Sequence, residues 1–171
     1  LCLFGSTGLP YAIDADIVRK KNRPSLSELL AKGIELLDGP EGFFIMCEGG
    51  KIDYAGHAND AATNIHDMLE LDRAVKVAVA FLEKHPDETL VIVTGDHETG
   101  GLSMGFAGTG GRFDVELLAL QKISVGEYSE RIKRRIDRAK GNITLKDLED
   151  ALREHFGLVF PGKPRPDGRF S

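Results

Sequence analysis

Glu48, Asp53, His57, Asp96 and His97 are the side chains in this 171-residue chain whose types and spacing suit chemistry. They fall in two glycine-rich stretches, EGGKIDYAGHAN at 48–59 and GDHETGG at 95–101. Asp53 and His57 stand four apart, so one turn of chain can present a carboxylate oxygen and an imidazole nitrogen to one ion. Both atom types are zinc ligands in catalytic sites. Glycines 49, 50 and 56 let the backbone wrap closely around such an ion. Asp96 and His97 are adjacent and follow an apolar run. An Asp–His pair can also orient a general acid or base. Two Asp/His pairs plus a glutamate fit a binuclear metal site better, in which two ions clamp the attacking and leaving oxygens of a phosphoryl group. The plain alternative is that these are acid-rich turns capping helices.

The flanking elements are expected to bring the two stretches together. FFIMC at 43–47 is apolar without alternation, which suits a strand buried on both faces of a parallel sheet. Residues 60–84 carry Ile65, Met68, Leu69, Ala78, Val79 and Leu82 at helical spacing, and His85-Pro86 ends the pattern. TLVIVT at 89–94 reads as a second strand, broken by Gly95. Strand, helix, strand is a βαβ unit with a right-handed crossover. Both loops would then leave the carboxyl ends of parallel strands, where open α/β sheets place their ligands. The expected fold class is therefore α/β, part of a parallel or mixed sheet with helices on both faces, plus a small helical insert.

Upstream, residues 1–24 read as mostly irregular, with GSTG at 5–8 a plain turn lacking the ending of a phosphate-binding loop. Ser25 and Glu28 form a capping box for a helix whose apolar face is Leu26, Leu29, Leu30, Ile34 and Leu37, stopped by Asp38-Gly39-Pro40. Beyond a glycine-rich stretch, three short helical patterns cover 114–122, 127–140 and 144–156. The last has a Thr144/Asp147 capping pair and ends at Gly157. PGKPRPDGRFS at 161–171 is linker-like. The expected division is 1–104 for the α/β core and 105–171 for a mostly helical insert or subdomain.

Composition narrows the class. A hydrophobic fraction of 42% with 29% charged residues is that of an ordinary globular chain. The net charge of −5 argues against nucleic acid as a partner, so an anionic substrate would need locally supplied positive charge. RIKRRIDRAK at 131–140, with acids interspersed, reads as a solvated helix face. No apolar run is long enough to span a bilayer. The start, LCLFGSTGLPY, lacks the pattern of a signal peptide and has no initiator Met, so the chain is expected to be a piece of something longer. Cys2 and Cys47 have no metal-ligand spacing, and Cys47 is expected to be a buried free thiol. His66, His85 and His155 read as surface or helix-end residues.

EGGKIDYAGHANDA at 48–61 and VTGDHETGG at 93–101 resemble the two C-terminal metal motifs of alkaline phosphatases. PSLSELLAKGIELL with the following Gly-Phe-Phe is similar to the segment that leads into the first motif, and LFG…LPYAID at 3–14 is a looser match. The resemblance covers about residues 1–104. It implies an alkaline phosphatase-like sheet, two zinc ions and one magnesium, with Glu48 at magnesium, Asp53 and His57 at the first zinc, and Asp96 and His97 at the second. It further implies hydrolysis of small-molecule phosphate monoesters through a phosphoserine intermediate. Family members are typically exported, to the periplasm or outside the cell, and often homodimeric. Tyr54 stands where relatives often carry a His or Lys that contacts phosphate through water.

Several family parts have no counterpart here: the Asp-Ser-Ala nucleophile motif, the earlier metal-bridging Asp, a phosphate-holding Arg, and a His in a His-Thr-Gly context. The resemblance therefore implies a C-terminal portion truncated at both ends, expected to bind zinc weakly and to hydrolyse nothing alone. Two other readings stand beside it. One is a related phosphodiesterase, phosphotransferase or cofactor-independent phosphoglycerate mutase. The other is a non-catalytic α/β binding module.

Overall fold

A computed structural model of the chain describes residues 8–14, 23–101, 108, 110–112 and 114–160. Cys2, most of GSTG at 5–8, most of the glycine-rich stretch after Gly101 and the tail at 161–171 lie outside the described residues. The chain divides into two compact units, Leu1–Ser103 and Met104–Ser171.

In the first unit, helix α1 spans Leu26–Leu37, α2 spans Gly50–His57 and α3 spans Ala61–Leu82, after a short 3-10 helix at Ala12–Asp14. The 22-residue α3 is the hub, against which α1, α2 and the 3-10 helix all pack. Local chemistry sets the helix starts. Ser25 accepts from the Glu28 backbone N–H while Glu28 reaches back to the Ser25 backbone, completing the capping box. Asp60 caps α3 by accepting from the Thr63 backbone N–H. Long-range bonds then fasten the helices to one another. Ser27 donates from both its backbone N–H and its hydroxyl to Glu70 on α3. Burial alone would raise the Glu70 carboxyl, but the bonds from Ser27 and Arg73 outweigh it and hold Glu70 below its ordinary range. The Lys51 ammonium of α2 lies 4.9 Å from the centre of the Tyr11 ring and 4.6 Å from that of Tyr54, tying the first described segment to α2.

The described residues contain no β-strand, which overturns the parallel or mixed sheet with helices on both faces that the sequence suggests. The apolar runs at 43–47 and 89–94 carry no regular structure, and no described backbone bond joins either to a neighbour. A strand exists only when its N–H and C=O groups meet a second strand, and an apolar run cannot supply that partner itself. Nor is the first run buried on both faces. Phe44 and Met46 are 87% and 84% exposed, while Ile45 between them is partly covered near Gly33 of α1. Leu90 and Ile92 in the second run are 82% and 75% exposed. Among the described residues there is thus no βαβ crossover and no sheet-edge crevice either. Residues 48–59, expected as a loop, instead contain α2.

The buried apolar residues among those described are mostly alanines: Ala55, Ala62 and Ala74 in the first unit, Ala151 and Ile123 in the second. Ile123 is the one large aliphatic side chain among them. Cys47 carries a free, half-buried thiol, which burial pushes above its ordinary range.

The second unit holds a 3-10 helix at Val115–Leu120, α4 at Val125–Arg138 and α5 at Leu145–Phe156. Tyr128 of α4 meets Phe156 of α5 edge-on at 5.1 Å, and the Lys122 backbone N–H donates to the His155 carbonyl. Thr144 and Asp147 make a complete capping box, and Gly157 closes α5 in the left-handed conformation at φ 66°. Thr144→Ala is expected to cost about 1 kcal/mol of this unit's stability. A urea titration following α5 would show a lower midpoint at unchanged slope, and an unmoved midpoint would mean the cap is idle. No described helix of either unit is long and apolar enough to cross a membrane.

Candidate metal centre

The first candidate pair owes its geometry to a helical turn. Asp53 and His57 are four apart on α2, so their side chains share a face, and His57 Nε2 lies 3.5 Å from Asp53 Oδ1. The second pair sits on irregular chain. His97 Nε2 lies 3.6 Å from Asp96 Oδ2, while Asp96 Oδ1 accepts from the His97 backbone N–H at 3.1 Å. Two ligand atoms on one tetrahedral zinc, each ~2.0–2.1 Å from it, stand about 3.4 Å apart. Each pair is therefore spaced as two of the ligands of one ion would be. Neither is a full shell, because a catalytic zinc takes about three protein ligands. Among the described residues no group of three or more His, Cys, Asp or Glu side chains converges to hold an ion. Glu48 is exposed and folds back over the start of α2: a methyl group on Gly50 would stand 3.0 Å from Glu48 Oε1. His57, Asp96 and His97 are likewise exposed, and Asp53 is partly covered.

The two pairs are brought together without a sheet. A Cβ placed on Gly56 of α2 would stand 2.6 Å from the Thr99 carbonyl oxygen, and one on Gly100 would stand 2.4 Å from the Gly56 carbonyl oxygen. The two backbones touch at a spacing that only glycine on each side permits. Gly100 adopts φ 77°, which L side chains rarely enter. This contact lays the second motif on α2. There the Thr99 hydroxyl donates to Asp53 Oδ1 at 2.6 Å and lies 3.1 Å from His97 Nδ1.

The His97 ring is held by its neighbours. Its Nδ1 is 2.9 Å from the Glu98 carbonyl oxygen, which can only accept, so Nδ1 carries the proton and Nε2 keeps its lone pair. That carbonyl, and after it the Asp96 carboxylate, raise His97 above the ordinary histidine range. When His97 is charged, a metal has to displace the proton on Nε2.

Sequence reading singled out the five charged and imidazole side chains, with Gly56 as a residue letting the chain wrap an ion, but not Thr99 or Gly100. The available signal was the Thr-Gly-Gly that trails the Asp-His-Glu: a hydroxyl two residues past a ligand-type histidine, then glycines. The remaining histidines have other neighbours. His66 is exposed on α3, His85 stacks on Phe81 with ring centres 4.5 Å apart, and His155 packs against Tyr128 in the second unit.

The sequence model of the alkaline phosphatase family matches residues 1–152. The chain belongs to the alkaline phosphatase family. It is 36% identical over 159 residues to alkaline phosphatase 3 of Bacillus subtilis, a match covering 87% of this chain and 33% of that protein. It is 38% identical over 109 residues to the repressible alkaline phosphatase of Saccharomyces cerevisiae, covering 60% of this chain and 19% of the relative. With the membrane-bound alkaline phosphatase of Bombyx mori the identity is 43% over 98 residues, 57% of this chain and 17% of that one. The chain thus spans a third or less of the length of these curated relatives.

Proposed function

We propose that this chain supplies the Asp53/His57 and Asp96/His97 ligand pairs of a metal-dependent phosphatase that hydrolyses small-molecule phosphate monoesters. The observation that carries the reading is the convergence of both pairs at one locus through Thr99 and the Gly56–Gly100 contact, in a chain of this family. In this reading Asp53 and His57 hold one zinc, Asp96 and His97 a second, and Glu48 a magnesium. Bound metal of this kind lowers the pKa of a coordinated hydroxyl or water, supplying a nucleophile at neutral pH. The chain's own contribution is to present carboxylate oxygens and imidazole nitrogens in fixed pairs. The serine that forms a phosphoserine intermediate, the completing ligands and the phosphate-holding cation are assigned to polypeptide outside this sequence. Export and a homodimeric state belong to the same reading through family resemblance.

Two measurements test it. Calorimetric titration of the 171-residue chain with zinc is expected to show weak uptake that is lost in Asp53→Ala and Asp96→Ala. Uptake indifferent to both substitutions would favour a scaffold in which these acids only cap and solvate. Assay of the same chain on 4-nitrophenyl phosphate with zinc and magnesium is expected to show no turnover. Sustained hydrolysis by the isolated chain would overturn the assignment of the nucleophile to other polypeptide.

A further inference from the structure

We infer that Thr99 is a positioning residue whose hydroxyl bridges the Asp53 carboxylate and the His97 imidazole, so that the two ligand pairs are set as one unit. The inference rests on the metal-ligand reading above. A hydroxyl offers one proton and two lone pairs. The Thr99 proton is committed to Asp53 Oδ1 at 2.6 Å, so toward His97 Nδ1, 3.1 Å away, the oxygen can only accept. That requires the proton on Nδ1, the same tautomer that the Glu98 carbonyl imposes, with the one N–H shared between the two acceptors as a three-centre bond. Both partners therefore turn the unprotonated Nε2 outward, toward Asp96 Oδ2. At its other end the hydroxyl fixes the rotation of the Asp53 carboxylate, whose Oδ1 also faces His57 Nε2. One short side chain thus orders a carboxylate 46 residues upstream and an imidazole two residues upstream.

This arrangement differs from ordinary packing of a threonine. Thr99 is only partly buried, and what it touches at hydrogen-bond distance is one member of each candidate pair. Outer-shell groups of this kind typically change metal affinity 10–100-fold when removed. Valine keeps the shape of threonine and deletes the hydroxyl, whereas serine keeps the hydroxyl and deletes the methyl group.

The test uses the 171-residue chain in two arms. In the metal-free arm, ring nitrogen resonances of His97 are recorded by long-range proton–nitrogen correlation. Asp53→Asn weakens the acceptor at the far end of the bridge. It is expected to shift the His97 Nδ1 resonance strongly when residue 99 is threonine or carries Thr99→Ser, and much less in Thr99→Val, where only the through-space charge of Asp53 acts. An equal shift in Thr99→Val, or no shift in any background, overturns the bridge. In the second arm zinc affinity is measured by calorimetry. Thr99→Val is expected to bind roughly 10–100-fold more weakly, with Thr99→Ser restoring affinity to within about threefold. If Thr99→Val binds zinc as the parent does while Asp53→Asn has lost it, the positioning role is overturned and the metal reading stands. If zinc uptake is indifferent to Asp53 itself, the metal reading falls and takes this inference with it.

Discussion

Replacing Gly100 with alanine is expected to destabilise the first unit by about 2–4 kcal/mol and to release the 97–101 segment from α2. Two costs coincide at this position. The added Cβ would stand 2.4 Å from the Gly56 carbonyl oxygen and 3.1 Å from its carbon, and backbone atoms cannot rotate aside. Overpacking of this kind costs about 1–3 kcal/mol. The residue also sits at φ 77°, where a side chain adds roughly 1–2 kcal/mol of strain. The chain can escape the clash by lifting the segment, at the expense of the Thr99–Asp53 bond, and this escape caps the loss. Gly101→Ala is the internal control. Gly101 also has positive φ, 60°, but among the described residues its added Cβ meets nothing closer than the Glu98 carboxylate at 3.6 Å, a movable side chain. Urea titration together with amide exchange over residues 97–101 would separate the two variants. Equal midpoints and equal exchange would show that the close glycine contact contributes nothing.

Asp67→Asn is expected to stabilise the chain by about 1–2 kcal/mol at pH 7.5 and by little or nothing at pH 4. Asp67 lies on α3, only 7% exposed. Its Oδ1 accepts from the Ala12 backbone N–H at 3.1 Å, and its buried Oδ2 has no hydrogen-bond partner among the described residues. Burial is the main cause that pushes its pKa up to about 6, with Asp14 and Glu70 adding to the rise and the Ala12 bond and Lys51 opposing it. Burial first, and then the charges of Asp67, Asp60 and Asp14, raise Tyr11 as well. Because the folded-state value lies above the unfolded one, the folded chain keeps the Asp67 proton to higher pH than the unfolded chain does. Its stability contribution is whole below about pH 4 and is lost as pH rises through about 6. A two-unit shift corresponds to roughly 2–3 kcal/mol across that window. Asparagine keeps the acceptor for Ala12 and removes the buried charge, so the slope between pH 4 and 6 should flatten. Thermal melts of both proteins at pH 4, 5, 6 and 7.5 decide it. Parallel curves would mean that Asp67 does not carry this dependence.

The sequence discloses those parts of this fold whose causes are local. Ser25 with Glu28 and Thr144 with Asp147 are start signals that act within four residues, and both form as capping boxes. The apolar runs at 43–47 and 89–94 mislead for the opposite reason. Side-chain composition suggests that a stretch prefers burial, but a sheet depends on a partner elsewhere in the chain, and among the described residues none is present. Helix α2 was hidden by its own composition, since Gly50 and Gly56 lower helix propensity and no side chain caps its start. Asp53, His57, Asp96 and His97 stood out because their types and spacing are readable one motif at a time. Their convergence is not readable that way, since it depends on Gly56 meeting Gly100 and on Thr99 reaching a residue 46 positions away.

The two bare apolar runs also bear on how the chain behaves in concentrated solution. Leu90-Val91-Ile92-Val93 is β-prone, uncharged and free of proline, the make-up of a segment that recruits copies of itself. Charged residues bracket both runs: Glu41 and Glu48 around the first, Glu88 and Asp96 around the second. Such flanking charges act as gatekeepers, keeping sticky segments of separate molecules apart by repulsion. Glu48 and Asp96 therefore stand in two roles at once, as candidate metal ligands and as part of the chain's colloidal defence. Any cation that neutralises these two carboxylates while the apolar runs remain uncovered would weaken that defence and bring copies of the chain together.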